Sequence, residues 1–467
     1  MARAESEGRL NPTRTLLLYN AGVITMDTAN RQYTRGAVLI QNDRIVRVGG
    51  SDDLLASAEP GTEAVDLGGR WLLPGLINTH VHTSQHLGRG LGDDVSLLTW
   101  LQERIWPYES QLTEEDSYVS SLLCGLEQIR SGVTCFAEAG GQHVAGMARA
   151  VSELGLRACL SRSTMDTGSG LPERWSENTD EALAAQLANH AAWHNGAGGR
   201  LRVWLGVRTI FNASDALLGR TKELADQLGV GIHMHVAEIP AEVDYARETR
   251  GRSTVEHLEA LGVLGANLLA VHCVWLTERE IELFAEREVK VSHNPAAAMR
   301  YLGFARIPEM IEAGICVALG TDGAPSNNRM TLVDEMWLAS LIHKGRTLNP
   351  VVMPAETVLG LVTRQGARAV LWDDALGSLE AGKKADLVVV NPNTPNMLPL
   401  HDPVANVVTA MQAHNIESVM CDGRWLMRDG RIVAVDEAQV VAEARRRAAA
   451  IVARAGLALP PRLNVVN

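Results

Sequence analysis

The chain has 467 residues, of which 46% are hydrophobic and 21% charged, proportions that are ordinary for a soluble globular protein. This length exceeds a single small core and is typical of a barrel-sized domain with a smaller second one. The 43 basic and 55 acidic residues give a formal net charge of -12, which argues against a nucleic-acid-binding or anionic-membrane surface.

The first 70 residues are predicted to contribute strands to a small β domain. After a loose tail of about 13 residues, "TLLLYNAGVITM" and "GAVLIQNDRIVRVG" indicate strands, with a polar turn at Asn42-Asp43. The N-terminus lacks the apolar stretch of a secretory signal, and no segment reaches the ~18 apolar residues of a membrane span. The six scattered cysteines form no CxxC pair, which favours reduced thiols in a cytoplasmic protein that does not associate with membranes.

Residues 71–375 show a different hydrophobicity pattern, in which short apolar runs alternate with longer amphipathic stretches such as "TVEHLEALGVLG". Eight strand–helix units are the count of a TIM barrel, so this region predicts an α/β fold with a (β/α)8 barrel. The eight predicted strands are 71–82, 133–139, 157–163, 203–209, 231–238, 268–273, 289–294 and 316–322.

Strand patterns return after the barrel. "KADLVVVN" and "SVMCDGRWLMRDGRIVAV", the latter with two Asp-Gly turns, lie within 376–435. We therefore expect a β-sandwich domain built from both chain ends, 1–70 and 376–435. The remainder, 436–467, is predicted to be a helix over 436–456 and a tail.

Imidazoles and carboxylates stand where five predicted barrel strands end, the rim at which TIM barrels carry their chemistry. His80 and His82 are two residues apart on one strand and therefore face the same point. Three neutral imidazoles with one carboxylate suit Zn²⁺ or a similar borderline ion. The predicted ligands are His80, His82, His235 and Asp322, with an open position for water.

The other polar residues at this rim are predicted to lie beside the metal rather than on it. Glu238, three residues beyond His235, is a candidate proton shuttle, and an exposed loop carboxylate is the alternative. His272 either orients a metal-bound water or is a core histidine with satisfied hydrogen bonds. His233 lies one pleat deeper, which favours a core position, whereas His293 is equally consistent with a place behind the ligands and with packing.

The motifs "LPGLINTHVH", "HVAE", "AVHC", "SHNP", "LGTDGAPSNN" and "GSLEAGKKADLVVVN", in this order, resemble the amidohydrolase superfamily. The resemblance covers nearly the whole chain. It is strongest to the branch of methylthioadenosine/S-adenosylhomocysteine deaminases, cytosine and guanine deaminases and triazine hydrolases such as atrazine chlorohydrolase.

This resemblance implies one Zn²⁺ per subunit, with Fe²⁺ as the alternative, on His80, His82, His235 and Asp322. It also implies that Glu238 is the acid/base group, that Asp322 takes the proton of the attacking water and that His272 stands beside that water. The fourth predicted strand, "VWLGVRT", has no lysine that could bridge a second ion. A homo-oligomer, dimer or tetramer, is expected by the same analogy.

The implied reaction is hydrolytic deamination of an N-heterocycle such as a purine, pyrimidine, pterin or s-triazine. Water activated by the metal attacks the amine-bearing ring carbon, and Glu238 protonates the adjacent ring nitrogen. The same site could instead displace chloride, an alkylamine or a thioether from a triazine-like ring. A non-catalytic scaffold is the third hypothesis. Such a protein usually loses metal-ligating residues, and all four predicted ligands are present.

The substrate contacts are predicted on less specific patterns. The segment 88–112 resembles the substrate loop of the nucleoside deaminases, in which residues matching Trp100 and Glu109 pack on the substrate and hold a ribose. Core packing is an equal alternative for Trp100. His293 and Asn327 are further candidate contacts.

Two segments depart from the nucleoside deaminases, which puts adenosine-type specificity in doubt. Arg208 stands where they typically have a histidine, and Ala296, Ala297 and Ala298 follow "HNP", where they typically have Ser and Asn. Arg208 is predicted either to bind a carbonyl or carboxylate of the substrate or to form a structural ion pair.

Overall fold

The computed structural model describes residues 14–458, and the predicted loose N-terminal tail lies outside this range. Within it, no helix combines the length and the apolar character that a membrane crossing requires. The helices include Ser51–Ala56, Leu97–Trp100, Trp106–Glu109, Glu114–Arg130, Val144–Leu154, Thr179–Trp193, Asp215–Leu228, Pro240–Arg250, Thr254–Ala260, Glu278–Glu286, Pro295–Ala297, Ile307–Glu312, Ala324–Asn327, Leu332–Thr347, Ala355–Leu361, Arg364–Ala369, Pro403–Thr409 and Glu437–Arg454.

Eight parallel strands form the barrel, so the predicted fold class is confirmed; seven lie within their predicted runs, and the fourth begins two residues before its run 203–209. In chain order they are Leu76–Val81, Val133–Glu138, Arg157–Leu160, Leu201–Val203 continued by Leu205–Val207, Ile232–Val236, Leu268–His272, Lys290–His293 and Cys316–Leu319.

Backbone hydrogen bonds connect the strands at two places, the interruption of the fourth strand and the junction between the eighth and first strands. The fourth strand is interrupted at Trp204, whose N–H donates to Leu160 O at 2.8 Å, while Leu205 N–H donates to Gly231 O at 3.1 Å. Beyond the eighth strand, the N–H groups of Thr321 and Asp322 donate to His80 O at 3.1 and 3.0 Å. The last and first strands therefore meet at the rim that carries the predicted ligands.

Both chain ends join in one nine-stranded sheet. Trp71–Pro74 pairs antiparallel with Leu387–Val390, so that Leu72 faces Val389. Some buried side chains of this sheet, Leu72 and Val389 among them, form a core of their own, whereas others, such as Leu73 and Val390, belong to the core of the barrel. The path of the sheet is Arg431–Ile432, Arg424–Arg428, Ile416–Cys421, Leu387–Val390, Trp71–Pro74, Thr15–Ile24, Gln32–Gln41 and Arg44–Gly50, with Glu63–Asp66 beside Thr15–Ile24.

One predicted strand is two strands in the structure. The sequence predicts a single barrel strand over 71–82, but Trp71–Pro74 belongs to the nine-stranded sheet and the barrel strand begins at Leu76. Gly75 separates them, and a Cβ there would lie 2.2 Å from Thr134 Oγ1. This close approach requires glycine, and it lets the chain pass from one sheet to the other within one residue.

The C-terminal helix Glu437–Arg454 packs on Glu114–Arg130, the helix that follows the first barrel strand. Asp116, only 1% exposed, accepts from Arg447 Nη1 at 2.9 Å and also from Arg454. A buried carboxylate paired with two guanidiniums is well compensated. The end of the chain is thereby fixed against the element that leads away from the predicted metal ligands.

Glu127 predicts a measurable acid dependence of stability. Its carboxylate contacts Arg89 and lies 3.3 Å from His86 Nε2, and although burial raises its pKa, these partners lower it to about 2. Because this folded-state pKa is depressed, the stabilisation is fully present above the unfolded pKa of about 4.3 and is lost as the pH falls toward 2.

Glu127→Gln is therefore expected to lower the free energy of unfolding of the metal-free protein by about 2 kcal/mol at pH 7. The difference from the wild type should shrink when urea unfolding is repeated at pH 3. A difference independent of pH would show that the ion pairs of Glu127 do not stabilise the fold.

Candidate metal centre

Three imidazoles meet at the carboxyl end of the barrel. His80 and His82 lie at the end of the first strand and His235 at the end of the fifth. Their ring centroids are 5.0, 5.0 and 5.5 Å apart, and one nitrogen from each lies within 4.8 Å of the others. All three are at most 4% exposed.

Hydrogen bonds at the outer nitrogens orient two of these rings. His80 Nδ1 lies 2.9 Å from His233 Nε2, and His233 in turn is bonded to the backbone of Glu138. His235 Nδ1 donates to the carbonyl of Arg208 at 3.1 Å. Nε2 of each ring is thereby left for another partner, the usual arrangement behind metal-bound histidine.

One nitrogen of His80 and one of His82 lack protein partners. His80 Nε2 and His82 Nδ1 are buried and make no hydrogen bond with any residue in the described range 14–458. Burial lowers the pKa of His82 and of His235 well below the ordinary value, so the rings are neutral with free lone pairs. Buried neutral imidazoles whose ring nitrogens accept no hydrogen bond are suited to bind a divalent metal ion.

Asp322 lies beside these imidazoles and forms a second group of potential ligands with His80 and His272. Its Oδ1 lies 3.6 Å from His80 Nε2 and 3.6 Å from His82 Nε2. Burial raises the pKa of this carboxyl, but the surrounding imidazoles outweigh burial and hold it below its usual range. Asp322 has a φ of 61°, an uncommon backbone conformation for a residue other than glycine, and strain of this kind is frequent at functional sites. The cluster is a divalent metal site.

Glu238 lies beside this cluster and is an acid near neutral pH. Its Oε1 is 3.5 Å from His272 Nε2. Burial, followed by the charges of Asp322 and Glu242, raises the pKa of Glu238 to about 8. Glu242 also accepts from the N–H groups of Ala237 and Glu238, each at 2.8 Å, which fixes the backbone that presents the carboxyl. The side chain is 12% exposed.

His272 faces the cluster rather than the core. Its Nε2 has no hydrogen-bond partner within residues 14–458 and lies 3.9 Å from Asp322 Oδ2. Burial lowers its pKa to about 3, so the ring is neutral. Asn294 Nδ2 lies 3.2 Å from Nδ1. When this amide donates to Nδ1, the ring carries its proton on Nε2, directed at Glu238 and Asp322.

Two further histidines take different places. His233 is buried as predicted, and it also binds His80. His293 Nε2 lies 3.1 Å from His343 Nε2 and is absent from both groups of potential ligands found within residues 14–458. His293 therefore packs behind the cluster, against the helix Leu332–Thr347.

The segment after the first strand places Trp100 and Glu109 differently. Trp100 is 3% exposed, belongs to the main core and packs against Gly92. Glu109 accepts from Gln85 Nε2 at 2.9 Å, and burial raises its pKa while Arg208 opposes that rise. Gln85 in turn lies near His82, since a Cβ at Gly323 would lie 2.7 Å from Gln85 Oε1 and 3.1 Å from His82 Cβ, so Glu109 is one hydrogen bond away from the surroundings of the cluster.

Of the two remaining candidates, the side chain of Asn327 is hydrogen-bonded to other residues and that of Arg208 is not. The amide nitrogen of Asn327 donates to Thr321 O at 2.8 Å and to Glu335 Oε1 at 2.7 Å. Arg208 is 7% exposed, and its guanidinium makes no hydrogen bond or ion pair with the described residues 14–458. The predicted structural ion pair of Arg208 is therefore not observed in that range.

Several residues of this site escaped the sequence analysis. Asn294 follows directly after His293 in the motif "SHNP", so its position was a usable signal for a group that orients His272. Tyr301 lies close enough to Asp322, Glu238 and Ser326 for them to affect its pKa, which burial raises well above its usual value. Nothing in the local sequence separates Tyr301 or Glu242 from ordinary helix residues.

Three comparisons place this geometry among known proteins. The sequence model of the amidohydrolase family matches residues 71–426. A 5'-deoxyadenosine deaminase of Methanosarcina mazei is 38% identical over 441 residues, covering 94% of this chain and 99% of the relative. The resemblance of the sequence motifs to this superfamily is confirmed.

Two solved structures share the fold over nearly their full length. An adenosine deaminase from Xanthomonas campestris with bound zinc superposes with a TM-score of 0.89 at 30% identity, covering 93% of this chain and 98% of that one. An atrazine chlorohydrolase from Arthrobacter aurescens TC1 complexed with zinc has a TM-score of 0.85 at 25% identity, covering 93% and 100%.

Proposed function

We infer that this chain, which belongs to the amidohydrolase family, is a metal-dependent hydrolytic deaminase of an N-heterocyclic substrate. It thus acts on carbon–nitrogen bonds other than peptide bonds. The observation that carries the proposal is the Glu238 carboxyl, with a pKa raised to about 8, next to a cluster of neutral imidazoles and one carboxylate. Two neighbouring titratable groups whose pKa values are shifted in opposite directions, here Glu238 and Asp322, are the usual sign of a general acid and a general base.

The proposed metal is Zn²⁺, one ion per chain, with Fe²⁺ as the alternative. His80, His82, His235 and Asp322 would hold it, because nitrogen-rich sets with one carboxylate suit Zn²⁺. When bound, the ion acts as a Lewis acid that makes water nucleophilic near neutral pH. Zinc in the two related structures supports this choice.

The chain's own residues would supply the proton transfers. Glu238, whose pKa burial raises, would donate a proton to the ring nitrogen beside the amine-bearing carbon, which makes that carbon electrophilic. His272 would donate from Nε2 to the oxygen that enters the ring. Asp322 would accept the proton of the attacking water, and the leaving amine, once protonated, departs as ammonia.

The second candidate is displacement of chloride or an alkylamine from a triazine-like ring. The similarity to the atrazine chlorohydrolase favours it, and the residues would act in the same way. Only the leaving group and the pocket around it would differ, so the two candidates are separated by product rather than by metal content.

Ammonia and chloride release should be measured from the zinc-loaded protein with aminated purines, pyrimidines, pterins and triazines, and with halogenated triazines. We expect ammonia from at least one aminated ring and little chloride. Chloride or alkylamine without ammonia would favour the second candidate. No product from any ring would count against both.

The proposal includes a small-molecule substrate, a cytoplasmic location and a homo-oligomer, dimer or tetramer. Relatives of this family support the first of these. Light scattering of the purified full-length protein would test the assembly, and a monomeric mass at micromolar concentration would contradict it.

A further inference from the structure

The segment 88–112, which follows the first barrel strand, depends on its neighbours for its structure. Residues 97–109 form one helical stretch, in which the π-helical turn Leu101–Ile105 separates the α-helical turns Leu97–Trp100 and Trp106–Glu109. A helix of this length is marginal by itself in water. Contacts with the neighbouring loops of the barrel rim therefore hold the segment in place.

The C-terminal end of the segment is held beside the metal cluster. Glu109 accepts from Gln85 Nε2 at 2.9 Å, and Gln85 lies three residues after the proposed ligand His82. Further back along the segment, a Cβ at Gly92 would lie 3.3 Å from the carbonyl oxygen of Pro325, in the loop that follows the eighth strand. The segment thus lies at the rim between the first and eighth strands.

The N-terminal end is held by one carboxylate. Asp93 Oδ1 accepts from Arg300 Nη2 at 2.5 Å and from Asn328 Nδ2 at 2.7 Å. Asn328 Oδ1 in turn accepts from the N–H of Gly90 at 3.0 Å. Arg300 follows the seventh strand and Asn328 follows the eighth, so two other rim loops meet at this carboxylate.

Arg300 joins all three of these loops. Its Nη1 donates to the carbonyl of Pro325 at 3.4 Å and also to that of Ser326. Arg300 lies in a second π-helical turn, Ala298–Leu302, and such turns are rare and frequently mark functional sites. The side chains of Arg300 and Asp93 are 25% and 28% exposed. Ion pairs in contact with water contribute little net stability, so this pair can break and form again while the barrel stays folded.

We propose that Arg300 is a positioning residue that holds the segment 88–112 closed against the rim through Asp93, and that the site opens for substrate and product when this ion pair breaks. The inference rests on the proposed deaminase function and adds the control of access to its site. Closure of this kind shields a reaction from bulk water, and opening of such a segment limits the turnover of many enzymes.

Hydrogen exchange of the zinc-loaded, full-length protein tests the role of the ion pair. Arg300→Met and Asp93→Asn each remove the pair, so the amides of 97–109 should exchange about 5-fold faster in either variant than in the wild type. High salt should speed this exchange in the wild type and not in the variants, because salt screens exposed ion pairs. The double variant should exchange no faster than Arg300→Met, whereas additive effects would show that the two residues act independently and would overturn the proposal.

Arg329→Met is the matched control. Arg329 also lies in the loop after the eighth strand, but its guanidinium pairs with Asp334 at 2.7 Å and not with the segment 88–112. The exchange of 97–109 should therefore match that of the wild type. Unchanged exchange of 97–109 in Arg300→Met and Asp93→Asn, or faster exchange throughout the barrel in both, would overturn the proposal.

Steady-state kinetics distinguishes this role from a general structural one. Loss of the closed arrangement weakens substrate binding, so Arg300→Met should raise KM for the best substrate of the panel about 5-fold without lowering kcat. A lower kcat at unchanged KM would contradict the proposed role. If no ring releases ammonia but the exchange pattern holds, the proposed reaction is wrong and the role of Arg300 stands. If ammonia is released but 97–109 exchanges alike in all variants, the role of Arg300 is wrong and the reaction stands.

Discussion

Glu238→Gln is expected to lower kcat for ammonia release by about 100- to 10,000-fold, the usual contribution of a positioned general acid. Glutamine keeps the size of the side chain but has no proton to donate to the ring. The zinc content should stay at one ion per chain, because Glu238 contacts His272 rather than the proposed ligands. Steady-state kinetics and elemental analysis on one preparation measure both quantities.

The pH profile supplies the second readout for Glu238. The protonated carboxyl is the active form, so kcat/KM should fall as the pH rises through its pKa. That pKa is raised to about 8 in the metal-free chain, and the positive charge of a bound metal lowers it, which places the basic limb at or below about pH 8.

The fall of kcat/KM at basic pH should be absent from the Glu238→Gln variant. Glu286→Gln changes an exposed carboxylate on the helix Glu278–Glu286 and should keep both the rate and the profile of the wild type. Activity of Glu238→Gln within a few-fold of the wild type would refute the proposed proton transfer.

Loss of His82 is expected to abolish stoichiometric zinc binding, and loss of His233 to weaken it. His82→Ala removes one of three converging imidazoles and should reduce both zinc content and ammonia release to near background. His233→Ala leaves the four proposed ligands in place but removes the partner of His80 Nδ1, for which a loss of zinc affinity of about 10- to 100-fold is typical. Competition with a chromophoric chelator measures these affinities.

His293→Gln is the matched control for these substitutions. His293 is as deeply buried as His82, but its Nε2 contacts His343 and not the cluster. Zinc affinity should therefore be retained. If His293→Gln lost zinc while His82→Ala kept it, the ligand assignment would have to be replaced.

The fold was predictable because its signals are local. Each barrel strand is a short apolar run, and the pair His80 and His82 on one strand already implies a shared target. The break at Gly75 had a sequence signal, because Pro74-Gly75 is a dipeptide typical of turns. The sequence did not show that the two halves of the run belong to different sheets, because that depends on the close approach of Thr134 from the neighbouring strand.

The site was predictable in its residues and not in its hydrogen bonds. His233 was placed in the core, and only the contact with His80, 153 positions away along the chain, shows that it orients a proposed ligand. Likewise, the sequence left two interpretations of Arg208, a substrate contact or a structural ion pair, since it could not show whether a carboxylate lies close enough to pair with it. Which polar groups are paired depends on the side chains that several strands bring together at the rim.

We propose that hydrolytic deamination by this protein requires one divalent metal ion per chain. The most direct test of this requirement is a titration of metal-free protein with Zn²⁺, with ammonia release from the best substrate of the panel measured at each point. We expect no release without metal and a linear rise in activity that ends at one equivalent per chain. Full activity in the metal-free protein, or a rise that continues to two equivalents, would contradict it.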